Sequence, residues 1–142
     1  MKKQFEYSHT ISFEETNVMG NVYFAHFLSW QGKCREMFIK EKVPGLLALI
    51  ESNELSMVTI SCSCEFFSEL KAFDEIIVSM QLVSVTQNRI KMNFSYLKKT
   101  SDALKTVAKG THEVGCFFRD GANLTTVSVP EILQEALIEY AY

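Results

Sequence analysis

This sequence lacks the clustered basic residues, long apolar runs and catalytic signatures that mark several large classes of protein. Acidic residues outnumber basic ones, the formal net charge is −3 and the isoelectric point is near 5.6. Nucleic-acid phosphates require clustered positive charge, so the composition argues against nucleic acid as a partner. No stretch approaches the ~18 apolar residues of a membrane span. The opening MKKQFEYSHT has no apolar segment behind its basic start, so we expect no signal peptide and no membrane association.

Catalytic and cofactor motifs are missing as well. The chain holds no GxSxG elbow, glycine-rich phosphate loop, HExxH or paired metal-ligand spacing, which argues against serine hydrolases, nucleotide enzymes and zinc hydrolases. Cys62 and Cys64 are two positions apart, a spacing that suits neither a zinc knuckle nor a redox CxxC. We therefore expect no metal and no cofactor. We expect a cytoplasmic protein, with buried, reduced thiols at Cys34, Cys62, Cys64 and Cys116.

Hydrophobic periodicity predicts mostly strands after residue 53. With 142 residues, 47% of them hydrophobic, the chain has enough apolar sequence for a single domain, which we place at residues 1–142. Alternation of apolar and polar residues predicts four strands, and their short connections predict an antiparallel meander. The strands are residues 56–67, residues 75–86, a strand from Ile90 that follows a Gln87–Asn88 turn, and residues 104–118.

A strand at residues 4–13 and a long helix at residues 22–42 precede the meander, and a short helix begins at Pro44. The apolar stripe of the long helix is made of Tyr23, Phe27, Trp30, Cys34, Met37 and Phe38. One helix covers a five-stranded sheet only if the sheet curves around it. We therefore predict an α+β fold of order β-α-β-β-β-β, with an antiparallel β-sheet wrapped around one long central helix and a terminal helical segment at residues 130–140.

Polar residues concentrate where the first strand gives way to the long helix, in the segment FEETNVMGNVYF at residues 13–24. It holds two carboxylates and two carboxamides close to the predicted helix start, where backbone N–H groups have no partner within the helix. We expect the N–H groups of Gly20, Asn21 and Val22 to be available to a carbonyl oxygen or a water.

One arginine of the long helix belongs neither to the apolar stripe nor to the solvated face. Arg35 lies beside Phe24, Leu28 and Gln31 on the shoulder of the stripe, where a guanidinium is partly desolvated and needs an acceptor. The alternatives are a side chain that snorkels to the surface or pairs with a carboxylate, and one that binds a ligand. We expect His112, on the apolar face of its strand, to be a core residue with satisfied hydrogen bonds rather than a base.

Three blocks of sequence carry a family resemblance. They are ETN-x-x-GNVY at residues 15–23, WQGKCRE at residues 30–36 and VTISCSCEFF at residues 58–67. In this order they resemble the hot-dog fold acyl thioesterases of the 4-hydroxybenzoyl-CoA thioesterase type. Within that superfamily they are most similar to the thioesterases of enediyne polyketide biosynthesis. The likeness extends to about Phe118 and implies a single hot-dog domain.

The resemblance carries over to individual positions. The common hot-dog pattern has a catalytic aspartate at the position of Asn17 and a histidine at that of Asn21, and this chain has neither. The enediyne subgroup has asparagine there, paired with an arginine that corresponds to Arg35, and some members have tyrosine at the position of Phe27. A carboxamide cannot take a proton from water at neutral pH, so Asn17 can only orient a water or the thioester carbonyl.

The mechanism that follows is hydrolysis of an acyl thioester without an enzyme nucleophile. The N–H groups of Gly20, Asn21 and Val22 polarise the carbonyl, Asn17 fixes the water, and Arg35 holds a substrate oxygen or the developing oxyanion. Three carboxylates are alternative bases: Glu14, Glu15 and Glu36. The predicted substrate channel is lined by Phe24, Phe27, Leu28, Gln31, Thr59, Phe66 and Phe67.

The resemblance also implies a substrate, namely a linear polyene or β-ketoacyl thioester on the acyl carrier protein of an iterative polyketide synthase, in enediyne-type biosynthesis. A fatty acyl-CoA or aryl-CoA thioesterase is one alternative, and a non-catalytic acyl-binding subunit is another. We further predict a homo-oligomer, at least a dimer and by extension a homotetramer, because a single curved sheet leaves open edges that need covering.

Overall fold

The computed structural model describes residues 3–142, which form a six-stranded antiparallel sheet packed against one long helix. The strands are β1 (Phe5–Thr10), β2 (Ser56–Phe66), β3 (Glu75–Thr86), β4 (Arg89–Lys99), β5 (Leu104–Asp120) and β6 (Asn123–Thr126). The helices are α1 (Ala25–Lys42), α2 (Pro44–Glu51) and α3 (Glu131–Ile138), and a 3₁₀ turn spans Phe13–Glu15. The predicted α+β class, with the sheet built around one central helix, is confirmed.

The strand order across the sheet is β1-β3-β4-β5-β2, with β6 added to β5 by a hairpin. The predicted meander is confirmed for β3, β4 and β5, but it is wrong for β2. That strand pairs with β5 instead of β3, because β1 occupies the free side of β3. The consequence is that β2, eleven residues long, forms an open edge of the sheet. The short strand β6 was not predicted, since its four residues are all exposed and show no alternation of burial.

The core lies between α1 and the concave face of the sheet. Four residues of the predicted stripe, Phe27, Trp30, Cys34 and Phe38, are at most 3% exposed, which confirms the helix face that packs inward. The helix begins at Ala25, three residues later than predicted, and Tyr23 is half-exposed. The preceding segment is held elsewhere, because the Val22 N–H donates to the Leu70 carbonyl at 2.8 Å.

A bulge in β2 changes which of its side chains face α1. Thr59 pairs with Val114 of β5, yet the next pair along the strand is formed by Ser61, so Ile60 is the extra residue. The shift places Thr59 on the helix-facing side and Ile60 on the outer side, which reverses the phase predicted for the first half of the strand. Beyond the bulge the predicted phase holds, and Cys64 faces α1.

The four cysteines differ in burial. Cys34 and Cys116 are buried, Cys64 is partly buried and Cys62 is exposed, and all four are free thiols. The prediction of burial is therefore wrong for Cys62, because it lies on the open edge strand. None of the helices in residues 3–142 has the length and apolar character that crossing a bilayer requires.

Candidate active site

The helix α1 and the edge strand β2 run in opposite directions and touch along a line that we call the α1–β2 seam, between residues 27–35 of α1 and 59–66 of β2. At one end the rings of Phe27 and Phe66 pack edge to face, with centroids 4.9 Å apart. In the middle the Gln31 side-chain N–H donates to the Ser63 carbonyl at 3.0 Å. Arg35 lies at the other end, about 12 Å from Phe27 at the rise of an α-helix.

A tight loop stands beyond the Phe27 end of this seam. The Asn17 N–H donates to the Asn21 carbonyl at 2.9 Å, and the Gly20 N–H donates to the Asn17 carbonyl at 2.9 Å. Gly20 has φ of +86°, a left-handed conformation that glycine adopts without strain. The Asn17 side-chain oxygen accepts from the Met19 N–H at 2.9 Å, which fixes the exposed carboxamide. Its NH₂ group remains as a donor to a substrate or a water.

The expectation of free N–H groups in this loop is wrong at two of three positions. The Gly20 N–H bonds to Asn17 and the Val22 N–H to Leu70, because the loop closes on itself and docks on the segment before β3. At the helix start, the His26 N–H donates to the Tyr23 carbonyl at 3.0 Å and the Phe27 N–H to the Phe24 carbonyl at 3.1 Å. The Asn21 side chain donates to Glu69 at 3.1 Å, while its oxygen is buried without a partner among residues 3–142.

Several predicted substrate-binding residues meet beside this loop. A cleft of about 170 Å³ is lined by Asn21, Val22, Phe24, Phe27, Phe66, Ser68, Glu69 and Leu70. Leu28 is half-buried on α1, and Gln31 and Thr59 lie further along the seam. Phe67 does not join them. It lines a groove on the outer face of the sheet with Glu65 and Lys109, since neighbouring residues of a strand point to opposite faces.

At the far end of the seam, Arg35 meets a histidine instead of a carboxylate. The Arg35 Nη1 and the His112 Nε2 are 2.7 Å apart, and the Thr59 hydroxyl lies 3.0 Å from the same nitrogen. Burial lowers the pKa of Arg35, and the nearby Glu36 opposes that effect. Among residues 3–142, no carboxylate lies within 4 Å of the Arg35 guanidinium.

His112 is buried, as predicted, but its hydrogen bonds are incomplete. A guanidinium has only donors, so Nε2 accepts from Arg35 and the proton of the neutral ring resides on Nδ1. That Nδ1 is buried and has no partner in the part of the chain that the structure describes. Burial, followed by the charge of Arg35, lowers the pKa of His112 to about 4. The expectation of a satisfied core histidine is therefore wrong.

The three candidate bases are not placed to act in the seam. Glu15 accepts hydrogen bonds from His9, Ser12 and Trp30, at 2.8 to 3.1 Å. Burial alone would raise the pKa of Glu15, but these bonds outweigh it and lower the pKa to about 2. A carboxylate stabilised so strongly is too weak a base for water at neutral pH, so that role is wrong for Glu15.

Glu14 is exposed and lines a separate cleft of about 440 Å³ with His26 and Lys33, on another side of α1. Glu36 is exposed on the solvated face of the same helix. Neither carboxylate is among the residues of the seam. The structure therefore brings a cation and a carboxamide to the two ends of the seam, and none of the three predicted bases lies between them.

Comparison with known proteins now decides the family. The profile of the thioesterase-like superfamily matches residues 11–137. The chain belongs to this superfamily. The dynemicin thioesterase shares 40% sequence identity with this chain, and its crystal structures reveal induced-fit and allosteric effects upon polyene binding. The two superpose with a TM-score of 0.94 over 99% of each chain.

More distant thioesterases share the fold. The 1,4-dihydroxy-2-naphthoyl-CoA thioesterase from Synechocystis is 18% identical, with a TM-score of 0.81 over 96% of each chain. The 4-hydroxybenzoyl-CoA thioesterase from Pseudomonas sp. strain CBS-3 is 17% identical, with a TM-score of 0.78, over 92% of this chain and 97% of that one. Comparison with curated protein sequences gives no significant match. The predicted hot-dog thioesterase fold is confirmed, and the protein is a thioester hydrolase.

Sequence reasoning missed His112 as a member of the site and missed Glu15 as a structural carboxylate. His112 is 77 positions from Arg35, and only the packing of α1 against the inner face of β5 brings the two together. The alternation pattern placed His112 on the inner face of β5, which was the one available signal. For Glu15, the nearby His9 offered a signal, since an i, i+6 pair across a turn can bring the two side chains together.

Proposed function

We propose that this thioesterase hydrolyses a linear polyene or β-ketoacyl thioester carried by the acyl carrier protein of an iterative polyketide synthase, in enediyne-type biosynthesis. The observation that carries the proposal is the 40% identity over 99% of both chains to a thioesterase that binds a polyene. We also place the enzyme in the cytoplasm, where its four free cysteines would stay reduced.

In the proposed reaction, water attacks the thioester carbonyl carbon, the carbon–sulfur bond breaks, and the products are a carboxylic acid and the thiol of the carrier. The Arg35 guanidinium stabilises the negative charge that develops on the carbonyl oxygen. The Asn17 NH₂ group, fixed through its own side-chain oxygen, orients the carbonyl or the incoming water. Because none of the three candidate carboxylates is placed to take a proton from water in the seam, water attacks largely without proton abstraction, and turnover is slow.

Arg35 also fits a β-keto substrate. Its planar guanidinium presents several donors, and only one contact, to His112, is used within residues 3–142. The remaining donors can hold the β-keto oxygen and the thioester oxygen together. The aromatic cleft formed by Phe24, Phe27 and Phe66 suits a flat, rigid polyene, which loses little conformational entropy on binding.

A dimer completes this site. In one chain the Asn17 loop lies beyond the Phe27 end of the seam, and Arg35 lies at the other end, about 12 Å from Phe27 by the helical rise. The edge strand β2 has exposed residues from Thr59 to Ser63 and no proline or lysine to block pairing. If two β2 strands pair antiparallel about a two-fold axis, their seams run in opposite directions, so the Asn17 end of one protomer meets the Arg35 end of its partner.

The first experiment compares acyl donors. Purified enzyme is incubated with polyene, β-ketoacyl and saturated acyl groups of equal length on carrier protein and on CoA, and free acid is followed by mass spectrometry. We expect faster hydrolysis of the carrier-bound polyene and β-ketoacyl groups. Arg35→Ala and Asn17→Ala should each lose about 10²–10³-fold in rate with the fold retained, while Lys33→Ala, on the exposed face of α1, serves as the matched control.

Two outcomes contradict the proposal at different levels. Equal kcat/KM for all donors would leave a general acyl thioesterase. No hydrolysis of any donor above the rate in buffer would remove the enzymatic role and favour an acyl-binding subunit.

The second experiment tests the shared site. Arg35→Ala and Asn17→Ala subunits are mixed, unfolded and refolded together, then assayed. If each site takes Asn17 from one protomer and Arg35 from its partner, half of the dimers are mixed and each contains one intact site, so about a quarter of wild-type activity returns. No recovery in mixtures that form mixed dimers, or a monomeric mass by light scattering, would rule out the shared site.

A further inference from the structure

The next inference rests on the proposed function and concerns His112 as a positioning residue for Arg35. We propose that its Nε2 lone pair fixes the guanidinium at the end of the α1–β2 seam while leaving the other N–H groups of Arg35 for the thioester. The two nitrogens are 2.7 Å apart, and His112 is 6% exposed, so the contact is made away from bulk water.

The choice of a neutral partner has a chemical consequence. A carboxylate would also hold Arg35, but it would neutralise the positive charge and take two of its donors through a bidentate contact. The imidazole Nε2 has a single lone pair, which Arg35 shares with the Thr59 hydroxyl, and it adds no negative charge. Arg35 therefore keeps its full charge for the oxyanion.

The surroundings of His112 keep the ring neutral. From α1 it meets the Arg35 guanidinium, and from β2 it meets the Thr59 hydroxyl at 3.0 Å and is paired with Cys62. From β4 it meets Met92, its strand neighbour, and Phe94, whose ring centroid is 6.5 Å away. No carboxylate faces it from these elements, and protonation would place two positive charges within hydrogen-bond distance.

A loss of the Nε2 lone pair should therefore release Arg35. Below the pKa of His112, which burial and the charge of Arg35 lower to about 4, the protonated ring no longer accepts a hydrogen bond and repels the guanidinium. The expected signature is an acid limb in kcat that belongs to His112 and depends on Arg35.

Two substitutions separate positioning from packing. His112→Leu fills the site but accepts no hydrogen bond, and His112→Gln places an amide oxygen near the position of Nε2. We expect His112→Leu to lower kcat about 10²-fold with little change in KM, because a displaced catalytic group costs about that much. His112→Gln should recover most of the loss and should lack the acid limb of the wild type. His26→Gln, on the other side of α1, is the control, and thermal melts confirm that each variant is folded.

A nuclear magnetic resonance measurement tests the pairing without any activity. With ¹⁵N-labelled histidine we expect the Nδ1–H tautomer of His112 at pH 7 and a pKa well below the ordinary 6.5. Arg35→Ala should raise this pKa toward the ordinary value. An Nε2–H tautomer, or a pKa that Arg35→Ala does not move, would overturn the pairing.

The activity assays and the histidine titrations also distinguish this inference from the proposed function. If the wild type hydrolyses thioesters and folded His112→Leu matches it, the positioning role is wrong while the thioesterase proposal stands. If the wild type hydrolyses none of the donors, the proposed function fails, and the tautomer and pKa shift still decide whether His112 holds Arg35.

Discussion

Two buried polar clusters lie on different sides of α1, and they differ in how completely their hydrogen bonds are satisfied. In the first, the Glu15 carboxylate accepts from a histidine, a serine hydroxyl, a backbone N–H and the Trp30 indole. In the second, Arg35 and Thr59 converge on one nitrogen of His112, and the other ring nitrogen has no partner among residues 3–142.

The difference separates a structural charge from a functional one. The Glu15 cluster is saturated, so it fixes the 3₁₀ turn to α1 and has little capacity left for a ligand. The Arg35 cluster holds a desolvated cation with unused donors, a costly arrangement unless something else binds there. A buried charge is therefore a better candidate for function when its partners are incomplete than when its pKa is merely shifted.

The largest expected effect concerns Trp30, which joins the saturated cluster to the core. Trp30→Ala should lower the free energy of unfolding by about 3–5 kcal/mol, because the indole is fully buried. Trp30→Phe keeps most of the packing but leaves Glu15 without one donor, and should cost about 1.5–3 kcal/mol. Urea titrations of both variants measure the two contributions. Equal losses would mean that the bond to Glu15 matters more than the buried ring.

Glu15 tests whether the saturated cluster is purely structural. Glu15→Gln replaces an acceptor of four donors with an amide and should cost about 3 kcal/mol, as expected when one partner of a buried charged network is removed. Activity per folded molecule should not change. Glu14→Gln, exposed and one position earlier, should stay within about 0.5 kcal/mol of wild type. A folded Glu15→Gln variant that loses hydrolysis would restore Glu15 as a candidate base.

The two clusters should lose stability over different pH ranges as the solution is acidified. His112 has a folded-state pKa of about 4 against an ordinary 6.5, so the unfolded chain binds more protons between these values and stability falls as pH drops through them. Glu15, at about 2 against an ordinary 4.5, extends the loss to lower pH. For each group, the difference between folded and unfolded pKa corresponds to stability on the order of 3 kcal/mol at neutral pH.

Urea unfolding between pH 7 and pH 3 measures these two windows. We expect His112→Gln to remove the slope between pH 6.5 and pH 4 and Glu15→Gln to remove the slope below pH 4.5. If either substitution flattened both windows, the two clusters would be coupled instead of independent.

The smallest expected effect belongs to Thr59, the exposed member of the Arg35 cluster. Thr59→Val removes the hydroxyl with little change of shape and should cost about 0.5–1.5 kcal/mol. Because the hydroxyl donates to neutral His112, its loss should raise the pKa of His112, but by less than Arg35→Ala does. Thr59→Ser should behave as wild type. Histidine titrations of the three variants give the order, and a larger shift in Thr59→Val than in Arg35→Ala would make the hydroxyl the dominant partner.

Part of this molecule follows from local pattern. The 3.6-residue stripe correctly identified the buried face of α1, and period-2 alternation located four of the six strands to within a few residues. These signals work because burial of a helix or strand repeats with its own geometry. They failed where a partner element changed the pattern, at the bulge after Thr59 and at the start of α1, whose preceding residues bond to Leu70.

The close approach of α1 to β2 also could not be predicted from the sequence. A Cβ at Gly110 of β5 would collide with the Gln31 side-chain amide and the Ser63 carbonyl, so only glycine lets α1 and β2 meet at the centre of the seam. Nothing in the residues around Gly110 announces that requirement. The requirement arises because α1, β2 and β5 come together at this point.

The sequence by itself determined the α+β class, the inward face of α1, the position of Arg35 on its shoulder and the blocks that relate the chain to acyl thioesterases. Only the tertiary structure decided that β2 leaves the meander to pair with β5, that Glu15 is saturated with donors, and that Arg35 meets His112. The physical reason is the separation of the partners along the chain. Periodicity records how each segment divides between core and solvent, whereas hydrogen-bond partners 77 residues apart are fixed by strand order and register.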